Sequence, residues 1–164
     1  MTIKNISTEN LTQEEKICNM QTLMHIMRVR DVLNLFIQEL LDRGSEHDMT
    51  KLTEPEVSIF AEYTSKLASC TFGSEEYNKF KSEMKPALEH HYANCSHHPE
   101  HYKNGVNDMT LVDLVEMFCD WKASSERHND GNILKSIEIN GKRFNMADQL
   151  IKIFENTARS MDLD

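Results

Sequence analysis

The segment from Leu11 to Leu41 carries apolar side chains at Ile17, Met20, Met24, Met27, Leu35 and Leu40, the spacing of one long helix. Thr12 with Glu15 three residues on has the form of a capping box, and Arg43-Gly44 supplies a basic last turn and a stop. Such a helix would run about 45 Å, a length that invites a bend or a break. The same grammar continues downstream. Thr53 and Glu56, with Pro55 between them, open a helix to about Ser69, and Phe72-Gly73 breaks the pattern. Ser74 caps a segment carrying Tyr77, Phe80, Met84, Leu88 and Tyr92, which Pro86 should kink or divide. Residues 95–109 read as a polar loop. Thr110 with Asp113 opens a helix to about Ser125 whose buried side holds Leu111, Leu114, Val115 and Phe118. Residues 128–132 read as a turn. Ile133 to Asn140 fits either a short helix ending at Gly141 or a hairpin turning on Asn140-Gly141, and the helix is preferred. A last helix runs from about Met146 to Met161.

With only five Gly and three Pro there is little turn material for a many-stranded fold. The expectation is an all-α, single-domain helical bundle of about five to seven helices over residues 1–164, with residues 1–10 flexible. Ten Met suit a packed helical core, to which Tyr63, Tyr77 and the single Trp, Trp121, are also assigned.

Charge narrows the partners. Lys and Arg total 18 against 27 Asp and Glu, a formal net charge of −9. A long nucleic acid requires a basic face, which this balance does not offer. No apolar run reaches the roughly 18 residues of a membrane span, and the first residues lack a secretory core. A cytoplasmic protein without a membrane partner is expected. Cys18, Cys70, Cys95 and Cys119 form no Cys-x-x-Cys pair and read as reduced thiols.

Eight His are present, and their placement matters more than their number. His25 lies in an otherwise apolar helical run. His47-Asp48 comes next, then His90-His91, His97-His98 and His101, and Asp120 sits mid-helix between Cys119 and Trp121. Neutral imidazole and carboxylate are ligands of divalent transition metals, and several must converge from separate elements to form a site.

That order resembles the HD-domain superfamily of metal-dependent phosphohydrolases. His47-Asp48-Met49-Thr50-Lys51 is similar to its His-Asp-x-Gly-Lys turn, with Thr50 where Gly is usual. His97-His98-Pro99-Glu100 resembles the double-His segment of the branch with extra ligands, and Phe118-Cys119-Asp120-Trp121 the later helix whose Asp closes the site. The wider pattern, with Asn94, His97–His101 and Glu116-Met117 before Asp120-Trp121, also resembles a small family of uncharacterised bacterial and phage proteins. The Asp-Gly-x-Gly-Tyr-Pro stretch of the cyclic-dinucleotide branch is not matched, since the chain reads His101-Tyr102-Lys103-Asn104-Gly105-Val106.

The resemblance implies one or two divalent ions (Mn, Fe, Zn, Ni or Co) held by His25, His47, Asp48, His91, His97, His98 and Asp120. His90 is the alternative to His91. Asp48 would bridge two ions, Glu116 would orient a ligand His, Lys51 and His101 would act on the substrate, and Lys122 and Arg143 are further anion contacts. The implied activity is hydrolysis of a small phosphorylated molecule, a nucleotide above all. A di-iron oxygenase with the same ligand order, or a catalytically silent metal-binding module, remain the alternatives. Related folds also dimerise, which makes a homodimer an expected state.

Overall fold

The structure, a computed structural model, describes residues 11–69, 74–127 and 131–164. Among them it contains seven α-helices and no strand: α1 Gln13–Glu46, α2 Glu56–Ser69, α3 Glu75–Glu83, α4 Lys85–Asn94, α5 Leu111–Ser125, α6 Ile133–Arg143 and α7 Asp148–Ser160. Short 3-10 turns at Met49–Leu52, Pro99–His101 and Gly105–Asp108 link them. The chain is all-α, as its periodicity requires. Residues 1–10, Phe72-Gly73 and most of the 128–132 turn lie outside the described residues, as does the Tyr77 side chain.

The backbone falls into two compact units, residues 1–41 and 42–164. The described part of the first is residues 11–41, all of α1 but its last five residues, opened by the expected capping box: Glu15 N–H donates to Thr12 Oγ1, and Thr12 N–H to the Glu15 carboxylate at 2.7 Å. Gly44 does not stop this helix, which runs unbroken through Arg43-Gly44 to Glu46. α1 buries no residue, and Met20, Met24 and Met27 are each more than half exposed. The expected methionine core is therefore not formed here, because among the described residues of this unit a single helix has no second element to cover its apolar side chains.

The second unit holds the core. Met117, Phe118 and Trp121 of α5 pack with Ile133 and Ile137 of α6, Met146, and Phe154 and Ala158 of α7. Trp121 meets Phe154 edge-on at 5.9 Å. α5 opens on a complete Thr110–Asp113 capping box, but its buried face begins one turn later than the pattern suggests, with Leu111 exposed and Asp113 buried. Asn132 caps α6 by accepting from Leu134 N–H and Lys135 N–H. Asn140-Gly141 lies inside α6, with no hairpin, because Gly141 is where α7 comes closest: a Cβ there would sit 2.9 Å from Ile151 Cδ1. Pro86 divides α3 from α4 as anticipated, occupying the first turn of α4, where its missing N–H is harmless. Tyr63 is only half-buried, against the core role expected of it.

Ile137→Ala should cost about 2–5 kcal/mol, since it deletes a fully buried branched side chain between helices. Leu111→Ala should stay within about 0.5 kcal/mol of wild type. Urea unfolding of both variants tests the assignment of the buried face.

Candidate metal centre

Asp48 sits between the end of α1 and the turn Met49–Leu52, with φ 58° in the left-handed region. Asp tolerates that conformation better than most residues, and it sets where the carboxylate points. Oδ1 faces His91 Nε2 at 3.1 Å and His97 Nε2 at 3.5 Å. Oδ2 faces His47 Nε2 at 3.5 Å and accepts from Lys51 Nζ. Three groups of possible ligands come together here: Asp48, His91, His97 and His98, then His47, Asp48 and Asp120, which share Asp48, and His47, His97 and Glu116. Within each group the ligand atoms lie inside 4.8 Å of one another.

Three of the rings, His47, His91 and His97, are held from behind. Glu116 Oε1 accepts from His47 Nδ1 and from His97 Nδ1, both at 2.9 Å. Glu56, fully buried, accepts from His91 Nδ1 at 3.0 Å and from His90 Nδ1 at 2.7 Å. An ionised carboxylate only accepts, so the Nδ1 atoms of His47, His91 and His97 carry hydrogen and their Nε2 atoms turn towards Asp48. Thr50, where the HD turn has Gly, donates to Glu56 Oε2 at 3.0 Å and ties the turn to α2. α5 serves two faces. Glu116 and Asp120, one helical turn apart, look into the site, while Met117, Phe118 and Trp121 look into the core.

Two atoms suit a cation and are otherwise unexplained. Asp48 Oδ1 and His97 Nε2 are buried without a hydrogen bond aligned on either, an arrangement costing about 1–3 kcal/mol per group. The gaps between facing atoms, 3.1 Å and 3.5 Å to Asp48 Oδ1 and 3.0 Å between His91 Nε2 and His98 Nε2, are close to the roughly 3.0–3.5 Å separating ligands on bonds of about 2.1 Å. The donor set is imidazole and carboxylate without thiolate, which suits Zn, Mn, Fe, Ni or Co. These residues fit a divalent ion.

The electrostatics agree. Asp120 first and Glu116 second hold His47 up at about 10. Burial pushes His91 down, but its contacts with Asp48 and Cys95 outweigh that and lift it to about 9. Burial and the neighbouring His97 and His91 press His98 down to about 3, so its ring is neutral. Burial works against the charge on Glu116, yet His47 and His97 hold it at about 2. Burial likewise opposes the charge on Asp48, but His91, His97 and Lys51 keep its carboxyl well below the ordinary range. The site draws positive charge to itself.

Of the expected residues, His47, Asp48, His91, His97, His98 and Asp120 enter the two groups that share Asp48, and Glu116 stands behind them. His90 turns to Glu56 and is half-exposed. His25, in the first unit, is exposed and belongs to neither group. His101 is exposed and donates from Nδ1 to the Tyr92 carbonyl at 2.8 Å. Lys122 pairs with Glu126 at 3.2 Å. Arg143 pairs with Glu100 at 2.7 Å and lines an open groove of about 440 Å³ with Lys81, Lys85, Leu88 and Tyr92. Two supporting residues escaped sequence reasoning. Glu56 fits a capping box so well that its side chain had a role already, yet Thr53 N–H bonds to the Thr50 carbonyl instead. Arg43 reads as a helix-end signal, but its guanidinium donates to Asp113 and Glu116. Cys18, Cys95 and Cys119 are free, and Cys70 lies outside the described residues.

Ligation requires an unprotonated Nε2, whereas the metal-free site holds His47 and His91 protonated at neutral pH. Metal uptake at pH 7 should therefore release up to about two protons, and affinity should climb with pH until about pH 10 before levelling. Calorimetry in buffers of differing ionisation enthalpy measures both, and an affinity indifferent to pH would contradict the protonation states above.

No curated protein and no solved structure matches this sequence. Residues 14–160 match a family described as "Family of unknown function (DUF5662)", and the span includes both ligand groups and the residues behind them. The chain belongs to that family.

Proposed function

We propose that the chain is an HD-like, metal-dependent phosphohydrolase acting on a small phosphorylated substrate, with a nucleotide as the leading class. The observation that carries this reading is the Asp48 carboxylate, whose two oxygens face two separate sets of ring nitrogens. With both oxygens presented in this way, Asp48 could serve one ion or two together with the facing rings. When bound, divalent ions would lower the pKa of a water from 15.7 towards about 7 and draw charge from a phosphoryl oxygen.

The remaining work falls to the chain's own groups. Lys51, partly exposed and paired with Asp48, brings an ammonium to the rim of the site, where it can meet a phosphate oxygen. His101 keeps its Nδ1 hydrogen on Tyr92, which leaves Nε2 as the nitrogen that could take up a proton from solvent and hand it to a leaving group. The groove borders the first ligand group through one shared wall, the Tyr92 ring, which lies 5.0 Å from the His98 ring. Leu88 and Tyr92 offer it an apolar surface for a base or similar body, and Lys81, Lys85 and Arg143 supply cations, the last two paired with Glu89 and Glu100 of the same lining. Lys122 does not line the groove and has no part in this reading. The acidic total is no obstacle, because bound cations reverse the local field.

Metal analysis followed by a screen of mono-, di- and triphosphates for released phosphate tests the proposal. Mn, Zn, Ni or Co with phosphate release is expected, and Asp48→Ala should abolish both metal retention and turnover. Tightly held iron with oxygen uptake would replace the reading by a di-iron oxygenase. Metal bound without turnover across the panel would replace it by a silent module. Once a substrate is found, Arg143→Ala should raise KM about tenfold with kcat little changed, as loss of about 1.4 kcal/mol of uniform binding requires.

A further inference from the structure

We infer that Arg43 is a positioning residue for both ligand groups at once, acting through the Glu116 carboxylate. The inference rests on the reading of those groups as metal ligands. Of the two groups that share Asp48, one holds His47 and the other His97, and the same oxygen, Glu116 Oε1, accepts from the Nδ1 of each at 2.9 Å, so the three residues form a third cluster between them. A Glu carboxylate turns easily about its terminal bond, so one oxygen shared by two rings does not fix the angle at which either ring is presented. The second oxygen does. Glu116 Oε2 accepts from Arg43 Nη1 at 2.9 Å.

Arg43 is in turn anchored on both edges of its fork. Nη1 also donates to Asp113 Oδ1 at 2.6 Å, and Nη2 donates to Ser96 Oγ at 3.1 Å. Asp113 is buried and pinned by Thr110 N–H, Thr110 Oγ1 and the Tyr102 hydroxyl. Ser96 immediately precedes His97-His98 and itself donates to Asp113 Oδ1 at 2.8 Å. One guanidinium therefore joins the end of α1, the segment that delivers His97 and His98, and the α5 turn that delivers Glu116. Planar donors in a fixed fork do this, and a lysine ammonium, a point charge on a flexible stem, cannot reproduce it.

Glu56 provides the contrast. Its ring partners are His91 and His90, so it bears on one group alone.

The test is titration of the chelator-treated full chain with Co²⁺, followed by visible spectroscopy and calorimetry, with thermal unfolding in chelator as a check on folding. Wild type should take up two equivalents. Arg43→Gln should weaken both steps by about 10–100-fold and alter the spectrum of each, the usual range when a ligand's supporting partner is lost. Arg43→Lys should fall between, and Glu56→Gln should weaken one step only. Full recovery of both steps in Arg43→Lys would reduce Arg43 to charge balance and overturn the inference, as would either step keeping its wild-type affinity in Arg43→Gln. If Arg43→Gln does not fold, Arg43→Lys carries the comparison, with partial weakening of both steps expected. A wild type that binds no Co²⁺ defeats the metal reading itself, an outcome distinct from failure confined to the Arg43 variants.

Discussion

The site turns on one carboxylate in an uncomfortable place. Asp48 has a left-handed backbone, an oxygen buried without an aligned partner, and ring nitrogens drawn up to both sides of it. The left-handed backbone and the orphaned oxygen each cost free energy that the rest of the unit must offset, while the protonated rings repay part of it by pairing with the carboxylate. These features make sense together when the carboxylate serves a cation, because an ion satisfies the orphaned oxygen and the facing lone pairs in one step.

Around Asp48 the second unit separates stabilisation from chemistry. Its apolar core lies among α5, α6 and α7, whereas the ligand groups are gathered by the end of α1, the turn after it, α4, the His97-His98 segment and α5. α5 belongs to both. Its packing on α6 fixes the helix, and a fixed helix fixes Glu116 and Asp120, so substitutions in the core reach the site through the orientation of α5. The supporting acids follow one rule: each carboxylate behind the site takes the outer nitrogen of a ring and leaves the inner one for a ligand.

Helix starts were the most legible part of the chain, because capping boxes at Thr12 and Thr110 and the proline at the head of α4 are local devices that act over three or four residues. Where the local reading failed, a longer-range contact had claimed the residue. Gly44 and Gly141 looked like helix ends. The first lies inside an unbroken helix, and the second is the point of close approach between α6 and α7. Glu56 looked like a cap and is a partner of His90 and His91. Leu111 looked buried and is not, because the core begins a turn further along α5.

The sequence alone determined the helical class, the helix starts and the residue types from which a metal site can be built, since periodicity, caps and ligand chemistry are properties of neighbours along the chain. It could not choose between His90 and His91, which are adjacent and chemically identical. Tertiary structure turns His91 inward, buried beside Asp48, and leaves His90 half-exposed on Glu56. Nor could it assign Glu116 to two rings or join Arg43 to Glu116 and Asp113, partners about seventy positions away. Distances of a few ångströms between residues so far apart in sequence exist only once the helices have packed, and at that range hydrogen bonds and charge decide what each side chain does.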